Sequence, residues 1–271
     1  MSEYIEAEKL KDQFKTQNTL RKLLETVVSG NYPALCIVGR SGIGKTYQTL
    51  TELETMNAKY FYVAGHVTPL SLFKMLFQNN RPDVILLLDD CEEALKNPLS
   101  LQILKACLDT SQREVHWHSS YLKDDESIQK NFIYEGKIIL ILNKLVMEKN
   151  HNVKALISRC ITYEINPTRQ ELEHGLMNMA KTTQEKEVAE FLIKNGCEID
   201  YRDFRKASAI AKTHEDWQPL VMELLNIDPK EVYIYQLLKR ELSTKAQIQL
   251  FTNTFGNGER TYYRIRNKLT Q

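Results

Sequence analysis

One octapeptide constrains this chain more than any other stretch: Gly39-Arg40-Ser41-Gly42-Ile43-Gly44-Lys45-Thr46, which satisfies a G-x-x-x-x-G-K-[ST] pattern directly after the apolar run Ala34-Leu35-Cys36-Ile37-Val38. The pattern requires a short buried strand leading in and a helix leading out from about Lys45-Thr46. Its glycines let the backbone turn tightly with N–H groups facing inward, and the helix N-terminus adds positive potential. Lys45 can then reach the β- and γ-phosphates of a nucleotide, and Thr46 can coordinate Mg2+. The segment predicts an ATP-binding loop, a P-loop, with Gly39, Ser41, Gly42, Ile43, Gly44, Lys45, Thr46 and Tyr47 as the binding residues. A chance glycine-rich turn would not supply strand, loop and helix together.

A second stretch agrees with the first. Asp83-Val84-Ile85-Leu86-Leu87-Leu88-Asp89-Asp90 is an uninterrupted aliphatic run ending in acid. Such a run suits a strand buried on both faces of a parallel sheet, its carboxylate emerging at the phosphate edge. Asp89 is the expected Mg2+-linked carboxylate. Asp90 stands where a glutamate usually polarises the attacking water, and it is one methylene shorter. Either it reaches a water from closer in, or hydrolysis is slow, or Glu92 or Glu93 assists. Acids after a strand are often only a solvated turn, a reading the upstream loop argues against. A further run, Lys137-Ile138-Ile139-Leu140-Ile141-Leu142, ends in Asn143, a polar strand tip able to orient water beside a γ-phosphate.

Around these anchors, Lys59-Tyr60-Phe61-Tyr62-Val63 reads as a strand, and Thr68 as the cap of a helix beginning at Pro69. Before the loop, Leu10, Phe14, Leu20, Leu23, Leu24 and Val27 recur at roughly helical spacing and predict one or two amphipathic helices, placed to cover an adenine. Residues 99–108 read as another helix. His116 and His118 flank Trp117; lacking a cysteine or carboxylate at ligand spacing, they are expected to line a loop rather than hold metal.

At 271 residues, 42% of them hydrophobic, the chain has room for one P-loop domain and one or two small modules. Its 36 Lys+Arg against 35 Asp+Glu leave it near neutral, so any surface for a polyanion must be local. The five cysteines are odd in number and lack C-x-x-C spacing, which fits a reducing cytosol and no zinc site. No stretch approaches the ~18 apolar residues that span a bilayer, and the first residues lack a signal-peptide pattern. The expectation is a cytoplasmic protein with no membrane partner.

The loop, the acid-tipped strand, the Asn-tipped strand and the arginine of Ala155-Leu156-Ile157-Ser158-Arg159-Cys160 resemble the AAA+ ATPases in order and spacing, over roughly residues 10–215. Ser158-Arg159-Cys160 is similar to the arginine-finger motif of clamp-loader small subunits. Four segments are similar to AAA+ proteins encoded by tailed bacteriophages: Gly65-His66-Val67-Thr68-Pro69, Leu88-Asp89-Asp90-Cys91, Leu108-Asp109-Thr110 and Phe132-Ile133-Tyr134-Glu135-Gly136-Lys137. The resemblance implies an α/β P-loop core with a parallel sheet over residues 1–162, Asn143 as sensor 1, and Arg159 as a finger offered to a neighbouring subunit's ATP. A homo-oligomeric ring or open ring follows from that role. Asp90 in place of glutamate departs from the family's pattern and puts the hydrolysis rate in question.

The family continues into a helical lid, and residues 163–227 carry the signals for one. Asn166-Pro167-Thr168 starts a helix, periodicity runs through residues 170–179 and 185–193, Asn195-Gly196 stops it, and a third helix begins near Asp200. There Arg202 matches the sensor 2 arginine that reaches back to the γ-phosphate, with Arg205 as its competitor and an ordinary solvated arginine as the alternative. Over residues 228–271 the tail changes character. Residues 232–242 are amphipathic, Ser243-Thr244 can cap a second helix, Gly256-Asn257-Gly258 breaks it, and residues 259–269 make a third carrying Arg260, Arg264, Arg266 and Lys268 against Glu259. The pattern resembles a helix-turn-helix and predicts a small DNA-binding module, although a solvated basic face on a structural helix fits it too. Tyr262, Ile265 and Leu269 are left to pack against Ile248 and Phe251.

These readings predict an ATP hydrolase using ATP and Mg2+ to move, load or remodel DNA or a DNA-bound replication or recombination partner, in a host cytoplasm if phage-encoded. The rival is an ATP-switched oligomeric adaptor or regulator with little hydrolysis, which Asp90 favours. A protein-remodelling machine would carry an aromatic-glycine pore loop, and none is obvious.

Overall fold

The computed structural model describes residues 15–117, 129–143, 151–196 and 200–270. Leu10, Phe14, His118 and Cys197 lie outside the described residues. The chain divides into two compact units, Met1–Asn166 and Pro167–Gln271.

In chain order the first unit comprises α1 (Lys15–Val28), β1 (Ala34–Val38), α2 (Lys45–Thr55), β2 (Lys59–Ala64), α3 (Pro69–Gln78), β3 (Val84–Asp89), α4 (Glu92–Lys96), α5 (Pro98–Cys107), β4 (Glu114–His116), β5 (Asn131–Ile133), β6 (Lys137–Leu142), α6 (His151–Ile157) and β7 (Ile161–Glu164). Five strands form a parallel sheet in the order β2-β3-β6-β1-β7, and β4 and β5 pair separately as an antiparallel hairpin. The aliphatic strands β1, β3 and β6 are buried along their whole length, as interior strands of a covered parallel sheet must be. Among the described residues β2 and β7 form the edges; β7 alternates in exposure, and β2 mixes exposed and half-buried residues with none buried. Thr68 caps α3 as its position before Pro69 predicts, its side chain accepting from the Ser71 N–H.

The sheet order decides what can meet. β1 lies between β6 and β7, and β6 between β1 and β3, so the C-terminal ends of β1, β6 and β3 are adjacent. In open α/β sheets that edge is where ligands bind. The residues that follow there are Gly39, Asn143 and Asp90. Residues 131–133 and 161–164 are strands that hydrophobic patterning did not single out, being short and, in β7, only half-buried.

The second unit is helical: α7 (Arg169–Met179), α8 (Thr183–Asn195), α9 (Tyr201–Ala211), α10 (Trp217–Leu224), α11 (Pro229–Leu238), α12 (Thr244–Phe255) and α13 (Glu259–Thr270). Thr168 and Thr182 open α7 and α8 with capping boxes, each threonine exchanging hydrogen bonds with the glutamate three residues on. Asp200 caps α9 and Ser243 caps α12. Among its described residues are two apolar clusters. One is built on Leu176, Val188, Phe204, Ala207, Trp217 and Val221, the other on Ile234, Leu237, Phe251, Tyr262 and Ile265, with Ile248 and Leu269 packed against the latter. Among the described residues no helix is long and apolar enough to cross a membrane.

Candidate nucleotide site

The octapeptide forms the turn between β1 and α2. Gly42 and Gly44 each adopt φ 83°, in the left-handed region that glycine enters without steric cost. Gly39 meets a different demand. A Cβ there would sit 2.6 Å from the Ile165 carbonyl oxygen and 3.0 Å from Ile43 Cδ1, so only a bare α-carbon fits. Ser41 and Tyr47 are exposed, while Ile43 is buried and anchors the turn to the core.

Lys45 begins α2 and is only 7% exposed. Its ammonium donates to the carbonyl oxygens of Gly39 at 2.8 Å and Arg40 at 2.9 Å, and to Asn143 Oδ1 at 3.1 Å. The loop carbonyls therefore gather around the charge that the loop brings in. Thr46, next along, donates from Oγ1 to Asp89 Oδ2 at 2.8 Å.

Asp89 ends β3 and is 5% exposed. Its Oδ2 accepts a second hydrogen bond, from the Tyr62 hydroxyl at 2.9 Å, while Oδ1 is buried with no hydrogen-bond partner in the protein. A buried carboxylate oxygen without a partner is costly to leave so, and asks for a cation or a water. Burial first, then the hydrogen bond to Asp89 and its charge, pushes the Tyr62 phenol up to about 12.

Asp90 follows at φ 49°, a left-handed conformation that turns the chain sharply as it leaves the strand. Its side chain is exposed, and Oδ1 accepts from Asn143 Nδ2 at 3.2 Å. The same amide nitrogen lies 3.2 Å from Glu92 Oε1, which also accepts from the Asn143 backbone N–H at 3.4 Å. Glu93 points elsewhere, pairing with Lys96 at 2.6 Å on the surface. Of the two glutamates named from sequence, Glu92 is the one drawn into the cluster. Behind it, the buried Cys91 thiol donates to the Asp89 and Val63 carbonyls.

Arg159 lies two residues beyond α6. Its Nη1 donates to the Ala155 carbonyl at 2.7 Å and its Nη2 is 4.0 Å from Asp109 Oδ2. Asp109 is held down to about 2, chiefly by the Ser111 hydroxyl and then by the Ser111 and Gln112 N–H groups. His116 pairs with Glu114 at 3.3 Å within β4. In the second unit, Arg202 and Arg205 are both exposed on α9. On α13, Arg260 and Arg264 are exposed and Arg266 is half-buried, whereas Lys268 forms an ion pair with Glu231 of α11 at 2.6 Å.

Sequence reasoning missed Tyr62. Strand periodicity places it on the same face as Ala64, but only the pairing of β2 with β3 brings that face to Asp89.

Over 136 residues the chain is 32% identical to a protein of Enterobacteria phage T4 described as an uncharacterized 36.7 kDa protein in the nrdC-mobD intergenic region; the match covers 48% of this chain and 41% of that protein. No family model matches. Among solved structures, the chain is similar to a mutant of RuvB from Thermotoga maritima, with a TM-score of 0.53 at 16% identity, covering 92% of this chain and 87% of that one. It is similar likewise to the Thermotoga maritima RuvB described as a Holliday junction branch migration motor, with a TM-score of 0.52 at 16% identity, covering 92% and 86%. The chain has the AAA+ ATPase fold. At such identity the likeness is one of architecture. It accords with the AAA+ resemblance of the loop and its two polar-tipped strands, and the phage T4 relative accords with the resemblance to phage-encoded AAA+ proteins.

Proposed function

We propose that the protein binds Mg-ATP at residues 39–47 and hydrolyses it between copies of itself, so as to move, load or remodel DNA or a DNA-bound partner. One observation carries the reading: Lys45, Asn143, Asp90 and Glu92 are joined in a single hydrogen-bonded network beside the Thr46–Asp89 pair. A lysine, a threonine paired with an aspartate, and two carboxylates held by an asparagine meet at one edge of one sheet, the set of groups that phosphate binding and water positioning ask of a P-loop protein.

The roles divide by chemistry. Lys45 and the N–H groups of Gly42, Ile43, Gly44, Lys45 and Thr46 would bind the phosphates, with Gly39, Ser41 and Tyr47 completing the pocket. Thr46 and Asp89 fit Mg2+, which takes hard oxygen ligands, and the partnerless Asp89 Oδ1 adds a buried acceptor. Bound there, the ion would neutralise charge on the β- and γ-phosphates. Asp90 and Glu92 are the carboxylates able to accept a hydrogen bond from an attacking water, and the Asn143 amide holds both. Arg159 would serve the ATP of a neighbouring copy, and Arg202, or Arg205 in its place, would act as sensor 2. We assign residues 1–162 to the ATPase core, 163–227 to a lid and 228–271 to a DNA-binding module acting through Arg260, Arg264, Arg266 and Lys268. A ring or open ring in the cytoplasm, the host's for a phage protein, is the expected working form. One RuvB neighbour, described as a Holliday junction branch migration motor, is the precedent for action on DNA.

Asp90 favours a second reading, an ATP-switched adaptor or regulator with little hydrolysis, because its short side chain is already engaged by Asn143. ATP turnover measured with and without DNA separates the two. A DNA-stimulated rate supports the motor or loader, and binding with negligible turnover under both conditions supports the adaptor.

A further inference from the structure

Two hydroxyl groups converge on one oxygen of Asp89. Thr46 Oγ1 lies 2.8 Å from Oδ2 and the Tyr62 hydroxyl 2.9 Å from the same atom, while Oδ1 is buried and has no hydrogen-bond partner. A carboxylate with both donors on one oxygen is fixed in rotation, and the second oxygen is presented in a single direction. Thr46 alone could not do this, since one hydrogen bond leaves the carboxylate free to rock about it.

Tyr62 reaches this position through the register of the sheet. It pairs with Leu87, and Ala64 pairs with Asp89, so Tyr62 and Ala64 share the face that carries the Asp89 side chain. The residue directly beside Asp89 is thus an alanine, too small to fill the space, and the tyrosine two residues back spans it diagonally. Among the described residues β2 is the edge strand and no further strand lies outside Tyr62 in the sheet, so the residue remains 42% exposed while its hydroxyl is engaged.

We propose that Tyr62 is a positioning residue for the metal-bearing carboxylate: its hydroxyl holds Asp89 so that Mg2+-nucleotide, rather than nucleotide alone, is bound tightly. The inference rests on the nucleotide-site reading above and deepens it. Groups that hydrogen-bond a ligating carboxylate set its orientation, and their loss costs metal affinity although they never touch the metal. The neighbouring tyrosine offers an internal comparison. Tyr60, on the same strand, has its hydroxyl 3.4 Å from Glu54 and lies away from Asp89.

The test uses the full chain and a fluorescent ATP analogue, titrated once in EDTA and once across a range of Mg2+ concentrations. Tyr62→Phe keeps the ring and removes only the hydroxyl. It should raise the half-saturating Mg2+ concentration and the nucleotide Kd in Mg2+ by roughly tenfold, and leave the Kd in EDTA as in the wild type. Tyr60→Phe should change neither. A Tyr62→Phe protein with the wild-type Mg2+ dependence overturns the proposal and leaves the nucleotide site intact. Equal shifts in Tyr62→Phe and Tyr60→Phe also overturn it, assigning the effect to the strand. A wild-type protein whose nucleotide affinity is the same in Mg2+ and EDTA overturns the metal reading of Asp89 and Thr46, and with it this one.

Discussion

The Lys45 ammonium donates to the side-chain oxygen of Asn143 at 3.1 Å, across 98 residues of sequence. That bond assigns the two ends of the amide. With Oδ1 taken by Lys45, the Nδ2 group faces Asp90 and Glu92, each at 3.2 Å. One asparagine thereby links the cation of the loop to both carboxylates that follow β3.

Removing either end of that link should have different consequences. Lys45→Ala is expected to weaken ATP binding by about 10- to 100-fold, the scale of a lost charge-assisted hydrogen bond. Asn143→Ala should keep affinity within a few-fold and lose most turnover, since it frees the carboxylates without removing the charge. Titration with a fluorescent ATP analogue and phosphate-release assays read the two effects separately. Unchanged affinity in Lys45→Ala would remove residues 39–46 from the site.

The two carboxylates can be told apart. Asp90→Asn is expected to bind Mg-ATP and lose turnover by about 10²- to 10⁴-fold, the usual worth of a positioned base, and Asp89→Asn to damage binding and turnover together. If Asp90→Asn turns over normally and Glu92→Gln does not, the water-orienting role belongs to Glu92. Glu93→Gln should be silent in either case, because Glu93 pairs with Lys96 on the surface.

The parts of this site carried by local pattern were legible in the sequence, and those created by pairing were not. The loop, the aliphatic strands ending in Asp89 and Asn143, and the caps at Thr68 and Ser243 all follow from a few consecutive residues. β5 and β7 are too short and too mixed in polarity to announce themselves, yet β7 completes the sheet beside β1. Tyr62 looked like one aromatic among several in a strand. Its contact with Asp89 depends on which strand β2 pairs with and in what register, and neither is written in strand periodicity. Glu92 was named only as an alternative to Asp90, since nothing in the sequence brings Asn143 to it.

Arg159 is expected to act on a neighbouring subunit. Arg159→Ala should bind ATP yet lose on the order of 10³ in rate. Mixed with Asp90→Asn protein it should recover activity, because some shared interfaces would then hold one intact Asp90 and one intact Arg159. Full activity of the wild type at every dilution, with no recovery on mixing, would exclude a role in trans. The pairing with Asp109 should not gate this step with pH, since that carboxyl is held down to about 2 and is ionised throughout the neutral range.

The basic face of α13 gives a prediction graded by residue. Replacing Arg260 and Arg264 with alanine should weaken DNA binding on every sequence and flatten the slope of log affinity against log salt by up to ~0.9 per lost phosphate contact. Lys268→Ala should contribute less, because that ammonium is already paired with Glu231 at 2.6 Å. Salt titrations of binding check both. A truncation ending before Asp228 that binds DNA with the full slope would move the contact to the rest of the chain.

Tyr262 tests the packing beneath that face. Its hydroxyl donates to Gln247 Oε1 at 2.5 Å, and Gln247 Nε2 in turn donates to the Leu237 and Leu242 carbonyls. Tyr262→Phe leaves a buried acceptor unmatched and should cost about 1–3 kcal/mol, read as a lower midpoint in thermal unfolding. No change in midpoint would mean that a water replaces the hydroxyl.

The left-handed φ of 49° at Asp90 also bears on which residues position 90 can accept. Aspartate, asparagine and glycine enter that region readily, whereas longer and β-branched side chains resist it. In a saturation library selected only for folded protein, asparagine and glycine should persist at position 90 while valine and isoleucine are depleted, and glutamate, the usual residue at such a site, should gain no advantage. The backbone, before any chemistry, narrows the alphabet available to this carboxylate.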